Sequence, residues 1–265
     1  PLQGMEDGLR AVSNAMRLSE LADALSQRTD EEILLPRYAV RSSDEVALDE
    51  AAAKAELDAS GIAVPRSVVV TPDQTSGLDE LNFPVAVKAL SAGLAHKSEL
   101  GAVVLRLGTP EEAWQAVRTM AKKLKHAAPE LSIRNFLVEE MVMDGVGELL
   151  VGIRRVDSMG LALTIGMGGT EAELLRDTAT ILLPASRATI AEALRSLKLF
   201  LLLDGWRGRP KGDVEAAVDT IQRFAQFAIS NEERFVEAEI NPLIVRPQGQ
   251  SAVAVDAVMR LVRHR

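Results

Sequence analysis

The chain has 265 residues, 47% of them apolar and 3% aromatic, enough to bury a sizeable core built mainly from Leu, Val, Ile, Ala and Met. Its net charge of −8 argues against a broad nucleic-acid surface, which needs basic residues to neutralise phosphates. With no cysteine it has no disulfide, thiolate metal site or cysteine nucleophile, and this fits a reducing compartment. The longest apolar run, Leu199 to Leu203, is too short to span a bilayer, and the polar N-terminus lacks a signal-peptide pattern. A cytoplasmic protein with no membrane partner is expected.

Residues 1–45 carry a loosely helical pattern from Met5 to Leu25, then a charged, unpatterned stretch from Gln27 to Asp44 that reads as a linker. The chain opens at Pro1 rather than Met, which fits a piece of a longer protein, with residues 46–265 as the main domain. A helix signal begins at Ser43-Asp44-Glu45, with either of the first two as cap, and runs to Ala59 before Gly61. Arg66 to Thr71 is a β-branched run closed by Pro72. Further strands are expected at 84–89, 101–107, 136–142, 148–154, 161–165, 235–240 and 252–255. Helices are expected from Thr109-Pro110 to Lys125, over 189–202 and over 213–230. This interleaving predicts an α/β or mixed α+β class.

Five segments carry polar residues in places that invite chemistry. Lys88 ends an apolar strand, a costly site for an ammonium unless its head reaches water or an anion. The small-residue loop after it holds His96 and Lys97, and such a loop can close over phosphates, although a loop histidine is ordinarily a surface residue. Glu139 and Glu140 interrupt the run from Phe136 to Val142, and Glu148 opens the next strand; on a strand only one of the adjacent pair can face a ligand. Gly166-Met167-Gly168-Gly169 lacks the spacing of a dinucleotide-binding fingerprint and is either a close approach to a ligand or a plain turn. Glu239 and Asn241 share one strand face by the period of two. Asp256 meets them if 235–240 and 252–255 pair through Pro247-Gln248-Gly249. Oxygen donors of this kind suit Mg²⁺ beside substrate phosphates; a buried Asn-Pro turn is the alternative.

In this order, over roughly 46–260, the segments resemble the nucleotide-binding β subunit or domain of the ADP-forming acyl-CoA synthetases, an ATP-grasp family related to succinyl-CoA synthetase. Phe83 to Lys88 with His96-Lys97-Ser98-Glu99 and Gly101 is similar to the family's lysine strand and histidine loop. Val138 to Val142 with Glu148 to Gly152 is similar to the hinge between its lobes. Glu239 to Leu243 with Asp256-Ala257 resembles its metal-binding hairpin, and Arg207-Gly208, Pro210 and Asp213 match a further stretch. The resemblance implies an ATP-grasp fold of two lobes with the nucleotide cleft between them, and ATP/ADP with Mg²⁺ as cofactors. It implies that Lys88 and Lys97 contact phosphates, that Glu140, Met141 and Val142 meet the adenine, and that Glu148 holds ribose. Asn241 and Asp256 would bind Mg²⁺, His96 would receive the phosphoryl group, and Glu239 would steady the phosphohistidine.

Two positions depart from the family pattern: Ala102 replaces a second glycine, and Ile181 stands where arginine is frequent; the residue to replace that arginine is left open among Arg154, Arg155 and Arg176. A CoA-binding ligase part is absent, so the implied partner is an α subunit or fused N-terminal domain that brings the carboxylic acid and CoA, within an oligomer. Residues 1 to about 25 read as the tail of such a domain. Two further readings stay open, another ATP-grasp carboxylate ligase and a non-catalytic nucleotide-sensing module in a larger acyltransferase-type protein.

Overall fold

The strands that matter for function alternate buried and open side chains, and this alternation places one wet face on the larger of two sheets. The structure, a computed structural model, describes residues 16, 45–74, 76–92, 101–127, 129–157, 159–168, 177–198 and 200–262. All but the first lie in the unit Tyr38–Arg265. The elements are β1 (Glu45–Leu48), α1 (Glu50–Ala59), β2 (Ser67–Val70), β3 (Val85–Ala89), β4 (Val103–Leu107), α2 (Pro110–Ala127), β5 (Phe136–Glu140), β6 (Gly147–Val156), β7 (Gly160–Met167), β8 (Thr178–Leu182), α3 (Arg187–Arg195), α4 (Phe200–Leu203), α5 (Val214–Ser230), β9 (Phe235–Val245), β10 (Ala252–Ala254) and β11 (Ala257–Val262).

The larger sheet runs β1-β11-β9-β6-β7-β8, with β10 also on β9. Leu149, Val151 and Ile153 of β6 and Leu161, Leu163 and Ile165 of β7 point to one face. There they pack with Ala53 and Leu57 of α1, Ile190 and Leu194 of α3, and Ile221 and Phe224 of α5. The intervening residues, Glu148, Gly152, Arg154 and Thr164, belong to the opposite face, as the period of two requires.

The smaller sheet runs β2-β5-β3-β4. Val85, Val87 and Ala89 of β3 and Phe136 and Val138 of β5 meet Ala113, Val117, Met120 and Leu124 of α2, whose spacing of three and four makes a single apolar stripe. Its other face carries Ala86, Lys88, Leu137 and Glu139, all buried, and Lys88 and Glu139 there meet α1. The chain crosses between the two sheets through 60–66 and returns through 141–146. The crossings lie side by side, because Glu140 N donates to Arg66 O at 3.0 Å.

Several expectations needed correction. The expected helix from Ser43 to Ala59 begins only at Glu50. Asp49 is its cap, accepting from Ala52 N at 2.9 Å, and Glu45–Leu48 is a strand because pairing with β11 outweighs local helix propensity. The expected helix over 189–202 breaks into α3 and α4. Ser186 caps the first at Thr189 N, 3.1 Å away, and Asp177 accepts from Lys198 N at 3.1 Å just past its end. Strands β1, β8 and β11 were not anticipated, and β9 continues five residues past its expected end at Ile240. The expected helix and linker over 1–45 lie outside the described residues, apart from residue 16 and Glu45.

Candidate functional site at the junction of the two sheets

The geometry of β9 explains why distant residues meet. Both β10 and β11 pair with this one strand, Ala254 opposite Leu243 and Ala257 opposite Ile240. Val255 and Asp256 therefore break the ladder opposite Asn241 and Pro242. Across the break, Asn241 N donates to Asp256 O at 3.1 Å and Val255 N to Pro242 O at 3.0 Å. On the same strand Asn241 Nδ2 lies 3.5 Å from Glu239 Oε1. The predicted set of Glu239, Asn241 and Asp256 is thus assembled by the hairpin through 247–250, as the sequence suggested.

Lys88 joins this cluster from the smaller sheet. Its Nζ donates to Val255 O at 3.0 Å, to Glu50 Oε1 at 2.7 Å and to Glu139 Oε1 at 2.6 Å. Lys54, one helical turn after Glu50, reaches Glu50 Oε1 at 2.9 Å and also bonds Glu139 Oε2. Lys88 is 4% exposed, Glu50 and Lys54 3% each and Glu139 1%, so two cations and two anions form a closed ring in the interior. Burial opposes the Lys88 ammonium, but Glu50, Glu139 and Asp256 together outweigh it and hold its pKa above the ordinary 10.5.

Of the adjacent glutamates, Glu139 is the one that faces Lys88. Glu140 points elsewhere, its Oε1 accepting from Asn82 N at 2.8 Å and Asn82 Nδ2 at 3.0 Å. Sequence reasoning missed Glu50, Lys54 and Glu139 as site residues. The signal for Glu139 was the shared parity with Lys88 in the β3–β5 register, where Leu137 opposes Lys88 and Glu139 opposes Ala86. Met141 and Val142 lie in the returning crossing, Met141 N donating to Pro84 O at 3.0 Å. Arg246 anchors the same crossing, gripping Asp144 at 2.8 and 2.7 Å through Nε and a terminal nitrogen, which holds the Asp144 carboxyl below its usual value.

Glu148 is exposed on the open face of β6. Farther along this face, a groove of about 440 Å³ is lined by Gly152, Arg154, Thr164, Glu237, Glu239 and Val258 among others. Of the arginines considered for the family position, Arg154 faces this groove. Arg155 lies on the covered side, where its Nε donates to Phe235 O at 3.2 Å. Ile181 also packs against the covered core. Arg176, His96 and Lys97 lie outside the described residues. The glycines before β8 serve strand contact: a Cβ on Gly168 would sit 2.7 Å from the Leu149 carbonyl carbon, and one on Gly166 would sit 3.1 Å from Asp177 O. Asp213 is structural as well. It caps α5 at Ala216 N, 3.1 Å, and accepts from Gly249 N at 2.9 Å and Ser251 N at 3.3 Å in the β9–β10 turn.

An ATP-grasp domain model matches residues 39–261. The chain belongs to the ATP-grasp family. This ATP-grasp domain is 32% identical over 218 residues to the β subunit of acetate–CoA ligase [ADP-forming] I of Pyrococcus furiosus, covering 81% of this chain and 91% of that one. In structure it resembles a Pyrococcus horikoshii crystal structure with a TM-score of 0.76 at 27% identity, over 82% of this chain and 92% of the other. It also resembles a dinucleotide-forming acetyl-coenzyme A synthetase of Ca. Korarchaeum cryptofilum, in complex with coenzyme A and Mg-AMPPCP, with a TM-score of 0.69 at 29% identity over 82% and 93%. The domain spans 29% to 36% of the length of longer relatives. Among the described residues, no helix is long and apolar enough to cross a membrane.

The oxygen donors of Asn241 and Asp256 are of the type that suits magnesium. Among the described residues no group of three or more His, Asp or Glu side chains could hold a metal. An amide and a carboxylate on Asn241 and Asp256, whose backbones pair across the β9 break, are oxygen donors of the kind that suits an ion that keeps waters and takes its other ligands from phosphates.

Proposed function

We infer that this ATP-grasp domain is the nucleotide-binding part of an ADP-forming acyl-CoA synthetase, working in acid + CoA + ATP ⇌ acyl-CoA + ADP + phosphate. The observation that carries the reading is the convergence of Lys88, Asp256, Asn241 and Glu239 at the junction of the two sheets. The side-chain oxygens of Asn241 and Asp256 would hold Mg²⁺, which when bound offsets negative charge on the transferring phosphoryl group. On this reading Glu148, exposed on the open face of β6, holds ribose, and the crossing at Met141 and Val142 meets adenine. With the Glu140 carboxylate engaged by Asn82, the adenine contact at that position falls to the backbone. Lys88 and Lys97 supply cations to the phosphates.

His96 accepts the phosphoryl group on this reading. Its neutral imidazole nitrogen forms an N–P bond as the bond from phosphorus to the ADP oxygen breaks, and Glu239 steadies the resulting phosphohistidine. A CoA-binding α subunit or fused domain then receives the group, and the acid and CoA bind there. Incubation with γ-labelled ATP and Mg²⁺ should give an acid-labile label on this chain that is absent from His96→Ala and reduced at least tenfold in Asp256→Asn. A label that survives His96→Ala refutes the phosphohistidine. Tight Mg-ATP binding with no transfer, even with the CoA-binding part supplied, refutes the enzyme reading in favour of a sensing module.

A further inference from the structure

The ring of Glu50, Lys54, Lys88 and Glu139 contains one more charged group than a phosphate site needs. All three donors of the Lys88 ammonium are engaged, by Glu50, Glu139 and Val255 O. A phosphate oxygen can gain a bond from Lys88 only if one of these acceptors loses it. Glu139, at 1% exposure, has no water to turn to, and a bare carboxylate there is strongly disfavoured.

We propose that Lys54 is a positioning residue that keeps Glu139 and Glu50 ion-paired while Lys88 turns to the nucleotide phosphates, so that Lys88 is released without a carboxylate being stranded. The proposal rests on the reading of Lys88 as a phosphate contact. The geometry is already in place: Glu139 gives Oε1 to Lys88 and Oε2 to Lys54, and Glu50 Oε1 is shared by both lysines. Lys54 comes from α1, which packs on the larger sheet, whereas Lys88 and Glu139 come from the smaller one. The Lys54–Glu139 bond therefore holds the two sheets together whichever partner Lys88 has. The charged groups facing Glu139 are Lys54 and Glu50 from α1 and Lys88 from β3, with Asp256 beyond Lys88 in the β10–β11 turn. An incoming polyphosphate adds negative charge to this set, and Lys54 is the cation that stays with the carboxylates.

The test is calorimetric titration of Mg-ADP into wild type, Lys54→Met and Lys54→Met/Glu139→Gln, each in buffers of different ionisation enthalpy near pH 8. In Lys54→Met, Glu139 must take up a proton when Lys88 leaves. The expected result is affinity at least tenfold weaker, close to one extra proton taken up per nucleotide, and affinity that recovers as pH falls. The double variant has no carboxylate at 139 to strand, and Glu50 keeps its bond to Lys88, which gives up only one acceptor, so it should regain affinity to within about threefold and lose the extra uptake. A purely structural Lys54 would alter affinity without moving proton uptake, and that outcome, or a double variant as weak as the single, overturns the proposal. Should Lys54→Met fail to fold, Glu139→Gln is compared with the double variant: affinities within about twofold support the exchange, and a tenfold gap overturns it. Wild type that does not bind Mg-ADP, or Lys88→Met that binds it as well as wild type, sinks the phosphate reading itself and is distinguishable from failure of the Lys54 role.

Discussion

Replacing Asp213 with alanine should destabilise the protein by about 2–3 kcal/mol near neutral pH. The carboxylate accepts from Ala216 N at the first turn of α5 and from Gly249 N and Ser251 N in the β9–β10 turn. Loss of a helix cap costs about 1 kcal/mol, and the two turn N–H groups contribute about 0.5–1 kcal/mol each because water reaches them. For a chain of this size, that corresponds to a melting temperature lower by roughly 5–10 °C. The pH dependence has a definite sign. Burial raises the Asp213 pKa, but the backbone N–H groups of Ala216, Ser251, Gly249 and Gln250 outweigh it and hold it below 3.8. The contribution is therefore full above the unfolded value of 3.8 and is lost as pH falls through the lower folded value. Urea unfolding of wild type and Asp213→Ala at pH 7 and at pH 3 or below should show a gap that narrows in acid. A gap under 0.5 kcal/mol at pH 7, or one that does not change with pH, refutes the double-cap account.

Glu139→Ala should cost about 3–5 kcal/mol in urea unfolding, because it leaves Lys54 and Lys88 buried with one carboxylate between them; a loss under 1 kcal/mol would show that water enters the ring. Gly168→Ala should lower stability by about 1–3 kcal/mol, since its Cβ would meet Leu149 and Glu148 backbone at 2.7 to 3.0 Å. Gly147→Ala, whose Cβ meets only the tip of Leu203 at 2.7 Å, should cost less, and thermal melts of the pair check the order. A double-mutant cycle on Asp144 and Arg246 should give a coupling of about 0.5–1 kcal/mol, as the pair is partly exposed. That coupling should weaken in acid, because the Asp144 pKa is held low by its bonds to Arg246.

What the sequence disclosed and what it hid divide along physical lines. Periodic apolar residues announced α2 and α5 and the strands that cross the core, since burial on one face leaves a mark every two or every three to four residues. The face of β9 that carries Glu239 and Asn241 was equally legible, because a strand's parity fixes both on one side whatever surrounds them. The edge strands β1 and β8 left little trace, being only four and five residues long. The buried ring was hidden for another reason. Glu50 and Lys54 sit in an alanine-rich helix where an i,i+4 ion pair usually means a solvated surface. Only the packing of α1 against the smaller sheet turns it inward. Glu139 and Glu140 could not be told apart without the register of β3 on β5.

A body tied to another by a single strand can twist freely, but here two crossings run together, coupled by the bond from Glu140 N to Arg66 O. Twin tethers at one edge act like a door's butt joint, leaving one swing easy and resisting torsion and sliding. Any rearrangement that opens the cleft would then part the sheets farthest from that edge, so a nucleotide could enter without the paired crossings losing their alignment.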